Sequence, residues 1–187
     1  MIKKLRNHFI YFFIYAVIGW LYELFIFYYH GEGWINRGFL YGPYLPVYGF
    51  GMLLLIATLK NIMKKKYKMG KIVNIILVLI GVFLIATLTE YVAHFILDTF
   101  FNIKLWDYTN QPLNINGRVC FNASRNFAIG GTFLLFCINP LIDKFIKNIK
   151  DKKLNIITIS LFSIVIIDLI ITILTKYLWY FVDNTNI

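Results

Sequence analysis

Acidic residues are scarce in this chain. Nine Asp and Glu stand against nineteen Lys and Arg in 187 residues, and charged residues of both signs make up only 15%. A soluble domain carries about 25% charged residues, so this composition argues against a soluble fold. Cysteine is nearly absent, with only Cys120 and Cys137. If both lie on one helix they stand about 25 Å apart at 1.5 Å per residue, which excludes a disulfide between them. Histidine is limited to His8, His30 and His94, which do not cluster as zinc ligands do. The pattern G-x-x-x-x-G-K-S/T is missing, so the chain has no P-loop for ATP. The G-x-S-x-G elbow is missing too. No metal and no cofactor is implied. Lys3, Lys4 and Arg6 precede an apolar block, but no small-residue cleavage site follows, so the block reads as a first span rather than a removed signal.

What is present is apolar. Hydrophobic residues make up 59% and aromatic residues 19% of the chain. They fall in blocks long enough to cross a bilayer, which takes about 20 helical residues. Five spans are expected, near His8–Tyr29, Phe39 or Pro43 to Leu59, Ile72–Leu97, Val119–Ile142 and Leu154–Phe181. The fold class is an all-α integral membrane protein. It is a bundle of about five transmembrane helices in one polytopic domain, 1–187, with a broken Gly/Pro-rich segment before the second helix. The N-terminus, the run Lys60–Lys71 and the run Lys144–Lys153 hold 14 of the 19 basic residues. With five spans all three fall on one side, which places the N-terminus in the cytoplasm. The net charge of +10 therefore reflects orientation and anionic headgroups, at about 1 kcal/mol per lysine near the surface, rather than nucleic-acid binding. The tryptophans near span ends (Trp20, Trp34, Trp106, Trp179) read as interfacial belts.

The stretch Trp34–Gly51, WINRGFLYGPYLPVYGFG, fits no regular element. Pro43 and Pro46 each remove a backbone donor and push the preceding residue out of the helical region. Irregular backbone beside apolar spans is tolerated only where protein buries it or a wet cavity receives it. One reading is a cavity lining. The other is a tight turn whose Gly38 and Gly42, spaced G-x-x-x-G, serve helix packing.

Ionisable residues inside spans are functional candidates by default, since one at the bilayer centre costs about 2.5–3.5 kcal/mol even on lenient scales. Glu23 and Glu90 lie at similar depth in the first and third spans. Arg37, Arg118 and Arg125 approach from the same outer side. These groups form either a structural ion pair, Glu23 or Glu90 with Arg125, or an outward-facing polar cavity for a polar or anionic ligand. Glu90, His94 and Asp98 share one helix face at i, i+4, i+8, a pattern open to proton relay but lacking metal-site spacing. Asp168 stands alone in the fifth span, as a proton site or as the acceptor of a hydrogen bond from Ser160, Ser163 or a neighbouring backbone.

Gly19-Trp20-x-x-Glu23, Asn36-Arg37-Gly38-Phe39-Leu40-x-Gly42-Pro43-x-x-Pro46-x-Tyr48-Gly49-x-Gly51, Glu90, Trp106-Asp107-Tyr108 and Gly117-Arg118-Val119-Cys120 follow in order. This series resembles the small bacterial membrane proteins described as putative ABC-transporter type IV permeases. The resemblance covers roughly Phe12 to Gly130 and departs at Leu45, where the family tends to carry cysteine. It implies a multi-pass protein of the bacterial cell membrane and a transport component working with a separate ATPase on the cytoplasmic side. It adds Asn36 and Asp107 to the cavity residues. A homo-oligomer is compatible with this. Two other classes stay open. One is a membrane enzyme on a lipid or envelope phosphate, with the carboxylates as acid and base and the arginines on phosphate. The other is a non-catalytic membrane partner subunit.

Overall fold

The computed structural model describes residues 2–31, 33, 34, 38–64, 70–102, 104 and 106–175. They form α1 (Ile2–Tyr29), α2 (Pro46–Lys64), α3 (Lys71–Phe101), β1 (Asn114–Ile115), β2 (Val119–Cys120), α4 (Phe121–Phe133), a π-turn (Leu134–Ile138), α5 (Asn139–Asn148) and α6 (Asp151–Ile173). Five helical segments are long and apolar enough to cross a membrane, with α4, the π-turn and α5 forming one rod. The chain is an all-α, multi-pass membrane protein. Asn36, Arg37, Lys65, Lys66, Lys68 and Trp179 lie outside the described residues.

Several helix ends differ from the sequence expectation. α1 starts at Ile2 rather than His8. Its basic first turns are held: Lys3 Nζ lies 2.6 Å and Arg6 Nη2 2.9 Å from the Asp151 carboxylate, and Arg6 Nη1 donates to Asn155 at 2.7 Å. α2 starts at Pro46, because proline suits the first helical position, where no N–H is needed. Phe39–Leu45 stays irregular, as both readings of this stretch expect. The fourth span runs on to Asn148 and the fifth begins at Asp151. The expected lysine loop is thus mostly helix, since Ile142 and Ile146 bury one side of α5 while Lys144 and Lys147 stay exposed. Inside this rod Pro140 has no N–H to return to Phe136. The helix widens just before it, and Asn139 N–H bonds to the Leu134 carbonyl in a π-turn.

The chain divides into two compact units, Met1–Phe50 with Phe145–Ile187, and Gly51–Lys144. In the first, α1 packs on α6. Leu40 and Tyr44 of the irregular segment are buried with Ala16, against Phe13, Val17, Val165 and Leu169. In the second, α3 packs along α4. A Cβ on Gly131 would lie 2.7 Å from Val82 Cγ1, whereas one on Gly130 would meet nothing. Val82 is β-branched and cannot swing aside on a helix. Gly131→Ala is therefore expected to destabilise the unit by about 1–3 kcal/mol. Gly130→Ala should raise stability by up to about 1 kcal/mol through helix propensity. Unfolding in detergent measures both, and equal effects would mean that α3 and α4 do not meet at Gly131.

Candidate functional site

Each unit holds polar clusters built on carboxylates in spanning helices. In the first unit one centre is Asp168, about 25 Å along α6 from Asp151. It is not isolated. Its Oδ1 accepts the Tyr41 amide at 3.1 Å, and its Oδ2 accepts the Gly42 amide at 2.9 Å and the Tyr44 hydroxyl at 2.6 Å. The Thr172 hydroxyl donates at 3.4 Å, and the Tyr41 hydroxyl meets Thr175 Oγ1 at 2.9 Å. The Leu45 amide donates to the Ala16 carbonyl of α1 at 2.9 Å. The amides of the Gly/Pro-rich segment thus find partners on both helices. Ser160 and Ser163 are not among the partners of Asp168.

The same unit explains the spacing Gly19-x-x-x-Glu23. These residues share a face of α1. The missing Cβ at Gly19 leaves room for the Tyr48 ring, and the Tyr48 hydroxyl donates to Glu23 Oε1. Tyr48 at the start of α2 is therefore a partner of the first candidate carboxylate. Nothing in the spacing of the Gly42–Gly51 motif signals this role for Tyr48.

In the second unit Glu90, His94 and Asp98 do share one face of α3, and each engages the segment from Trp106 to Arg118. The Tyr108 hydroxyl donates to Glu90 Oε1 at 3.1 Å. His94 Nε2 meets the Trp106 carbonyl at 3.0 Å. A carbonyl only accepts, so Nε2 is the donor in this bond. His94 Nδ1 is buried, with no hydrogen-bond partner among the described residues. Arg118 Nη2 pairs with Asp98 Oδ2 at 3.3 Å, and Nη1 donates to the Tyr91 hydroxyl at 3.3 Å. Its guanidinium also lies 4.9 Å from the centre of the Phe95 ring. The face expected as a relay is thus a docking strip for a cap. Among the described residues no group of three His, Cys, Asp or Glu side chains could hold a metal.

The cap is built by local rules. Asn116 and Gly117 both adopt positive φ, 55° and 68°, as a type I′ turn requires. The Arg118 amide closes the turn on the Ile115 carbonyl at 3.0 Å. An Asn-Gly pair is the strongest short hairpin signal. Asp107 closes a short turn with Thr109. It accepts the Thr109 hydroxyl and, at 2.8 Å, the Thr109 amide. These bonds hold its carboxyl below the usual range. Their contribution is present above the ordinary carboxylate pKa of about 3.9 and is lost as pH falls through the lower folded value. Trp106, read as a belt residue, donates from Nε1 to the Arg118 carbonyl at 2.9 Å.

Arg125 does not join this cluster. It is exposed on α4, its Nη2 reaches only Asn126 Oδ1 at 3.4 Å, and among the described residues it makes no ion pair. The buried stripe of α4 is Ser124, Ala128, Gly131 and Thr132, and position 125 falls off it. The expected pairing of Arg125 with Glu90 is replaced by Tyr108 on Glu90 and by Arg118 on Asp98.

The family model described as putative ABC-transporter type IV matches residues 10–173. No curated protein and no solved structure matches the chain. The matched range takes in Glu23, Glu90 and Asp168, four spanning segments whole and α1 from Ile10 onward, and the chain belongs to the putative ABC-transporter type IV family.

Proposed function

We propose that this chain is the membrane-embedded component of a transporter in the bacterial cell membrane, with its N-terminus cytoplasmic. In this reading the segment Trp106–Arg118 is an outer gate over a polar solute or ion site centred on Glu90. Glu23, with Asn36 and Arg37 nearby in sequence, is a second candidate within its own unit. A separate ATPase works at the lysine-rich end. The observation that carries the reading is a buried carboxylate in a spanning helix, 8% exposed, under a cap held to α3 by side-chain polar contacts. A hydrogen bond contributes about 1 kcal/mol net, so opening the cap requires several such bonds to be exchanged together for bonds to water or solute. The shared end of Lys3, Arg6 and Asp151 supports the orientation, since the basic N-terminus and the start of α6 then face the same side.

Purification of the full chain from its native membrane, followed by native mass spectrometry, tests the reading. The expected result is a co-purifying ATPase and a bound small polar solute that is lost on Glu90→Gln. Turnover of a lipid phosphate by the isolated chain would overturn it in favour of an enzyme. The enzyme reading has less support, because the Arg118 guanidinium is engaged by Asp98 and Tyr91 and Arg125 lies apart.

The gate has its own test. Cys120, 4% exposed, ends the capped hairpin, and Cys137 is the other free cysteine. In a Cys137→Ala background, Cys120 should react slowly with maleimide. Tyr108→Phe should speed that reaction severalfold. An unchanged rate would mean that the cap is not held by Glu90.

A further inference from the structure

At the lysine end of α2 the second unit carries a groove outside these clusters. Ile56, Lys60, Met63 and Lys64 line one wall at i, i+4, i+7, i+8, the spacing of one helix face. The other wall comes from the π-turn and the start of α5, where Leu135, Phe136 and Pro140 are apolar and Asn139 and Asp143 are polar. In the widened turn before Pro140, the half-buried Phe136 lies next to the fully buried Leu135 and, with Ile56, Met63 and Pro140, forms the groove's apolar part. The cavity volume is about 260 Å³.

We propose that this groove binds a phospholipid with one net negative charge and a hydroxylated headgroup of the phosphoglycerol type. The charge pattern fits that occupant. Lys60 and Lys64, one turn apart, supply two ammonium groups for a phosphodiester. Asp143 stands opposite as an acceptor, and headgroup hydroxyls donate to it. Two lysines against one aspartate leave one net positive charge, which matches the single charge of the lipid. A choline headgroup has no hydrogen-bond donor for Asp143. A zwitterionic ethanolamine lipid leaves the groove charge unbalanced. The apolar wall accepts the start of an acyl chain.

Native mass spectrometry of the full chain, delipidated and then supplied with phosphoglycerol, phosphoethanolamine or phosphocholine lipids, tests this. One phosphoglycerol lipid should be retained at least tenfold more strongly than the other two. Lys60→Gln with Lys64→Gln should abolish that preference, and Lys60→Arg with Lys64→Arg should keep it. Lys152→Gln with Lys153→Gln removes the same charge from the start of α6 and should leave retention unchanged. Equal loss in both glutamine pairs would overturn the proposal, because the effect would then be general surface charge. Equal retention of the phosphoethanolamine or phosphocholine lipid would overturn it as well.

Discussion

Asp168→Ala should lower stability by about 3 kcal/mol or more. The carboxylate accepts two backbone amides and one hydroxyl from the segment between α1 and α2. A hydrogen bond to a charged group contributes about 1.5–3 kcal/mol, and donors left unsatisfied away from water add their own desolvation cost. Tyr44→Phe removes one of the three bonds and should cost about a third as much. It leaves the ring packed on Ala16 and Leu40. Asp168→Asn should fall between them, because an amide keeps one acceptor oxygen and turns a donor toward the other N–H groups. Thermal unfolding in detergent orders the three. An Asp168→Ala protein as stable as Tyr44→Phe would show that these bonds do not hold the segment.

Glu90→Gln should cut transport by roughly 10–100-fold, the equivalent of about 1.5–3 kcal/mol for a contact with a charged group. Its side-chain oxygen still accepts the Tyr108 hydroxyl, so the cap should stay closed and Cys120 should stay protected. Glu90→Ala should lose both transport and protection. This separation isolates the charge from the clasp. Uptake of the co-purifying solute is the measurement, and wild-type uptake by Glu90→Gln would remove Glu90 from the site. Arg125→Ala is the control. It is exposed and makes no ion pair among the described residues, so it should leave both uptake and unfolding temperature unchanged.

The sequence made the spans legible because bilayer thickness imposes length and apolarity directly. It also made Glu23, Glu90 and Asp168 legible as candidates, because a charge in a span needs a reason. The partners were not legible. Tyr48 lies 25 residues from Glu23, and the Tyr41 amide lies 127 residues from Asp168. Nothing local encodes those meetings. Arg125 was readable in part: the small residues at 124, 128 and 131 mark the inward stripe of α4 and leave 125 outside it. The Asn116-Gly117 turn was readable outright from its dipeptide. Asp107 and Arg118 differ for a reason that spacing cannot express. One closes a turn with its neighbour Thr109, and the other crosses to α3.

The long reach of Asp168 has a consequence for biogenesis. Synthesis runs from the N-terminus, so α1 and the segment 38–45 emerge long before α6. Until then the Tyr41 and Gly42 amides lack their acceptor, at a position where lipid offers none. The last helix therefore completes the first turnaround of the chain. A nascent protein stopped before Asp168 should be a substrate for membrane quality control even though four of its five spans are already made.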